Sequence, residues 1–362
     1  MPTNSLKPPA RLTHIDLLEC IGIYFVLFFH GSLYTYDYIM KSDLGTYLTV
    51  FPRSLLATCV PIFFFCNGYL LFGRPLDVKK HVKRMIRMVF LSFFWGSVLT
   101  LIMQPVFGER LTWESFWYKL TNWEWANQIW YMGALIGVHV FFPLMKAAYD
   151  HDKKAFYCFV AVCAFLTMGN TLINQIRTLL CRFLLQERMV YAGHNFNIFN
   201  PFQKIAGYAF VYFCMGGIML SVQEKIEAVP ARKRNCIALV VLTVSTVIQG
   251  VMYILFSRML QQLWDVVWKG YDTVFTLVNV LCLFVLCLNW KQDRPLIRTI
   301  SANTLGIYLL HVIPTWTLSS RAVQVPFLAS VPGSAVFSLA VLLMTLGLCL
   351  ILKRIPLIRK LL

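Results

Sequence analysis

Three ionisable side chains interrupt the apolar run Ile15 to Tyr36 (IDLLECIGIYFVLFFHGSLYTY): Asp16, Glu19 and His30. An imidazole titrating near neutrality is the usual side chain for taking a proton from a reacting group. Carboxylates can hold a proton or pair with a cation. At about 100° per residue, offsets of three and eleven positions return to within a few tens of degrees of one helix face. A titratable group inside lipid is costly, so this face must point into a bundle or a wet cavity. Asp16 and Glu19 fall in the first turn, where carboxylates also suit the helix dipole, and a boundary role stands equally open for them. His30 lies about 16 Å further along the same face, where function outweighs a structural link between helices.

The elements that must position these groups follow from composition. Of 362 residues, 58% are hydrophobic and 14% charged. That is the balance of a polytopic, all-α membrane protein. Apolar runs of about 20 residues predict ten transmembrane helices, at 15–36, 52–72, 88–107, 128–148, 155–175, 201–221, 236–256, 272–290, 299–320 and 332–352. Residues 1–14 and 353–362 then form polar tails around one transmembrane domain, 15–352, and no removable signal peptide is evident.

The formal charge of +17 raises nucleic acid as a partner, but 22 of the 33 Lys and Arg fall in alternate connections and the two tails. The positive-inside rule explains that bias, places both termini in the cytoplasm of a cell-membrane protein, and leaves no nucleic acid implied. Of the eleven cysteines, all but Cys181 fall in or beside apolar runs, without a CxxC pair, and read as small buried residues. No metal-ligand spacing, Walker loop or GxSxG is present.

Further candidates lie on other spans. His311, counted from the inner boundary, sits at nearly the depth of His30, with Tyr308 one turn below on the same face. Core packing is an equal reading for that pair. His139 reads as packing or a water contact. Arg84 and Arg87 are spaced i, i+3 beside Lys83, at the expected start of the third span, where free backbone N–H groups also favour anions. Lipid headgroups are the alternative partner. Trp113, Trp117, Trp123, Trp125, Trp264, Trp268 and Tyr271 crowd the outer connections, as interface anchors or as stacking surfaces for sugar rings. The connection 176–200, with Arg177, Arg182, Glu187, Arg188 and His194, reads as a lid or substrate platform.

Four stretches in order, IDLLECIGIYFVLFFH, PIFFFCNGYLL with KKHVKRMIRM, QIWYMGALIGVHVFFPL and ISANTLGIYLLH, resemble the acyltransferase-3 family of integral-membrane enzymes that acylate cell-envelope carbohydrates. The resemblance implies transfer of an acyl group, usually acetyl from cytoplasmic acetyl-CoA, to a hydroxyl of an envelope glycan or lipid-linked sugar. His30 matches the histidine of the family's Arg-x10-His motif, where it would act as base or covalent carrier. Glu19 stands in the place of the motif's arginine, which leaves three readings open: a pair with Arg84 or Arg87, a subgroup with altered donor handling, or loss of activity. Lys83, Arg84 and Arg87 match the basic segment expected to hold CoA phosphates. Trp130 and Tyr131 match an aromatic pair that would contact the acceptor, with Tyr308 and His311 as a second wall. A transporter or flippase for an envelope precursor would show repeated halves, which the sequence lacks. A non-catalytic partner subunit is the other rival.

Overall fold

The run carrying Asp16, Glu19 and His30 forms helix α1, Thr13–His30. It stops six residues short of the expected end because side chains take over the backbone groups beyond it. Ser32 Oγ donates to Phe28 O at 2.7 Å, and Leu33 N donates to Ser334 Oγ at 3.0 Å. His30 is therefore the last helical residue.

A computed structural model describes residues 11–107, 112–122, 129–184, 207–265, 267 and 270–362. Among them there is no strand. After α1 come α2 Leu44–Leu48, α3 Val50–Leu56, α4 Cys59–Phe72, α5 Val78–Phe107, α6 Trp113–Asn122 and α7 Trp130–His151. Next are α8 Lys153–Ala164, a π-helical turn Phe165–Gly169, α9 Asn170–Phe183, α10 Tyr208–Glu227, α11 Ala231–Leu260 and α12 Val274–Cys287. The chain closes with α13 Pro295–Ser301, α14 Thr304–Leu310, α15 Val312–Ala322, α16 Val331–Leu352 and α17 Pro356–Arg359. Among the described residues seven segments are long and apolar enough to cross a membrane: Thr13–His30, Leu44–Phe72, Val78–Ile102, Trp130–His151, Lys153–Phe183, Ala231–Leu260 and Val331–Leu352.

Three expectations change. First, α5 begins ten residues before 88, because Asp77 caps it (Lys80 N to Asp77 Oδ1, 3.0 Å) and the basic residues that follow are good helix formers. Arg84 and Arg87 thus lie inside the helix, away from its free N–H groups. Second, α8, the π turn and α9 continue to Phe183, so Arg177, Cys181 and Arg182 are helical rather than in a connection. Residues 185–206, which include Glu187, Arg188 and His194, lie outside the described residues, as do Trp123, Trp125 and Trp268.

The third change matters most for function. In place of one helix over 299–320 the chain breaks twice, and both breaks have a side-chain cause. Asn303 Nδ2 donates to Thr299 O at 2.7 Å, taking the carbonyl that its own N–H would use in an α-helix. Further on, Pro314 offers no N–H to Leu310, and His311 Nδ1 donates to Tyr308 O at 2.7 Å. Ser301 and His311 stand at these two breaks.

The core is centred on α4, buried along most of its length between α1 and α10. A Cβ on Gly68 would collide with the carbonyl oxygen of Phe213, and one on Gly216 with that of Phe65. The two glycines let the α4 and α10 backbones touch, the small-residue packing that replaces hydrophobic drive inside lipid. All eleven cysteines are free, and seven of them are fully buried.

Candidate functional site

Helix α1 and the broken segment α13–α15 meet at two polar levels. At the level nearer the start of α1, Arg11 grips Asp16 with both arms of its guanidinium: Nε to Oδ2 at 2.5 Å and Nη2 to Oδ1 at 3.0 Å. The bonded Asp16 carboxylate raises the pKa of Arg11 above its ordinary value. Ser301 Oγ, placed by the first break, lies 2.7 Å from Asp16 Oδ1 and 2.7 Å from Glu19 Oε2. Glu19 is thus tied to Ser301; neither Arg84 nor Arg87, both exposed on α5, is its partner.

The second level lies about 16 Å along α1. There the His30 and His311 rings stand 5.1 Å apart between centroids. Because Tyr308 O can only accept, His311 Nδ1 must carry the proton in that bond. Nε2 of this fully buried imidazole has no partner. His30 and Tyr308 line a cavity of about 20 Å³ with Val26, Phe29, Cys59, Val60, Trp130 and Tyr271. That is room for about one water. Trp130 stacks on Tyr271 at 5.8 Å, and Tyr131 meets the Tyr308 ring edge-on at 5.5 Å. Residues from α1, α4, α7, α14 and the segment before α12 therefore converge at one spot. Trp130, Tyr131, Tyr308 and His311 all reach the neighbourhood of His30.

Lys83, Arg84 and Arg87 do not share that place. They lie exposed on the first turns of α5, where Arg87 Nη2 donates to Lys360 O at 3.0 Å and Trp95 Nε1 to Leu361 O at 2.8 Å. The C-terminal segment folds back over this face. His139 is buried, its ring stacked 5.3 Å from that of His81, whose Nε2 bonds the His139 carbonyl at 2.8 Å.

The profile of the acyltransferase domain family matches residues 12–354. The chain belongs to the acyltransferase-3 family. Curated proteins gave no match, and neither did solved structures. As an acyltransferase-3 protein with seven membrane-length helices, it is a membrane acyltransferase.

Sequence reasoning overlooked two residues of this acyltransferase. Ser301 looked like one small polar residue among several, and only the helix break gives it two carboxyl neighbours. Arg53 is 3% exposed on α3. Its Nη2 donates to Asp265 at 2.6 Å, and its guanidinium carbon lies 3.6 Å above the Tyr36 ring and 5.3 Å from Phe29, the neighbour of His30. An arginine eight positions before PIFFFCNGYLL was the available signal, since a charge so placed is expensive in lipid unless paired. A polar face on α9 (Asn170, Thr171, Asn174, Gln175, Thr178) is also fully buried, with Thr171 Oγ1 donating to Asp272 at 2.7 Å. Among the described residues no group of three His, Cys, Asp or Glu side chains converges as metal ligands would.

Proposed function

We propose that this membrane acyltransferase moves an acetyl or other short acyl group from cytoplasmic acyl-CoA to a hydroxyl of a cell-envelope glycan or lipid-linked sugar. The reading rests on a ten-crossing arrangement with both tails in the cytoplasm, which the bias of basic residues supports. The observation that carries it is the His30–His311 pair at an aromatic-lined cavity in a chain of this family.

In this mechanism His30 takes the proton of the acceptor hydroxyl as the oxygen attacks the thioester carbonyl. His311, its Nδ1–H fixed on Tyr308 O, presents the unprotonated nitrogen that accepts charge or a proton from its neighbour. Positive charge at His30 also faces the C-terminal end of α1, where the helix dipole favours it. Since the cavity holds about one water, Trp130 and Tyr271 must part to admit the acceptor. Lys83, Arg84 and Arg87 hold the CoA phosphates, the anion replacing the Lys360 carbonyl on Arg87.

The test uses inside-out vesicles given acetyl-CoA labelled in the acetyl group. Wild type transfers label to glycan or lipid and releases CoA, while His30→Ala loses on the order of 10²–10⁴-fold in rate from protein that remains folded. Arg84→Ala with Arg87→Ala raises the KM for the donor. Full activity in His30→Ala rejects the assigned role, and wild-type vesicles that neither transfer label nor release CoA reject the donor.

A further inference from the structure

Hydrogen-bond stoichiometry around Ser301 does not close with the protons of ionised carboxylates. Both oxygens of Asp16 accept from Arg11, the paired geometry a guanidinium makes with a carboxylate. Ser301 carries a single hydroxyl hydrogen, yet its oxygen lies at hydrogen-bond distance, 2.7 Å, from both Asp16 Oδ1 and Glu19 Oε2. One hydrogen cannot lie along both lines. If Ser301 donates to Asp16, the contact with Glu19 places two lone pairs face to face unless Glu19 supplies a hydrogen. A repulsive contact of that kind in a buried site is costly, whereas a carboxylic acid donating to the hydroxyl gives each of these contacts its own hydrogen.

We propose that Glu19 is held as a neutral carboxylic acid that donates to Ser301, which in turn donates to Asp16. The other titratable groups near it are few. Cys20 on the same helix is turned to Ile297 O at 3.3 Å, and Arg298 is occupied by Asp293 at 3.1 Å. Cys66 on α4 and Tyr131 on α7 complete the surroundings, and neither carries a positive charge. Among the described residues Arg11 is the cation bonded to these carboxyl groups, and both its contacts go to Asp16.

The location of the proton is tested without any substrate. Infrared spectra of the full-length protein in lipid at neutral pH should show a carboxylic-acid C=O band that shifts in D2O, is absent from Glu19→Gln and moves in Ser301→Ala. No such band in the wild type, its survival in Glu19→Gln, or its indifference to Ser301→Ala overturns the assignment, whatever the enzyme's substrates prove to be.

Discussion

The two polar levels on α1 are built from similar materials and finished differently. At the Ser301 level the guanidinium, two carboxyl groups and one hydroxyl bond to one another in a continuous chain. At the His30 level buried polar atoms are left over: His311 Nε2 and Tyr308 Oη have no partner. Native proteins satisfy nearly all buried polar groups, so each orphan asks for a reason, and at the His30 level the proposed function supplies one. The closed level ties the broken segment α13–α15 to α1; the open level keeps polar atoms to spare beside the cavity.

Changes at the two levels should separate stability from activity. The largest effect is expected from His311→Ala, which should lower transfer by about 10²-fold or more, while the lost Nδ1 bond to the Tyr308 carbonyl costs only about 1–3 kcal/mol of stability. A fall in melting temperature matching the fall in rate would make the open level structural. Next comes Arg53→Ala, which strands Asp265 and removes the guanidinium from Tyr36 and Phe29. A loss of roughly 3–5 kcal/mol, read by denaturation in detergent, applies to a buried pair, and the partial exposure of Asp265 brings the expectation to the low end. Arg53→Lys should recover part of the stability; no recovery would mean that the planar guanidinium stacked on Tyr36 matters more than charge. The smallest effect belongs to Ser301→Ala, about 1–3 kcal/mol of stability, since it leaves two buried carboxyl oxygens short of a partner. A neutral result would show that the closed level tolerates an open bond.

Depth counting along two helices was enough to set His30 and His311 in one layer, because helix rise is fixed whatever surrounds it. The same counting missed the partner of Glu19. Ser301 reaches the carboxyl groups only because the Asn303 side chain captures the Thr299 carbonyl and turns the backbone, a competition between side chain and main chain that periodicity does not register. Arg53 escaped notice because a basic residue near the end of a span counts as orientation until its neighbours are known. The start of α5 was placed too late for a related reason: hydropathy reports where lipid begins, whereas the Asp77 cap decides where the helix does. Membership of the acyltransferase-3 family was legible in four motifs, since these are the stretches that carry α1, α4, α7 and the broken segment.

The contact of Gly68 with Gly216 imposes an order on biogenesis. Helix α4 leaves the ribosome long before α10, with α5 through α9 made in between. Until α10 is inserted, α4 waits in the bilayer with this close backbone contact unmade. A nascent chain arrested before residue 216 would therefore display an open α4 face to the quality-control machinery of the membrane.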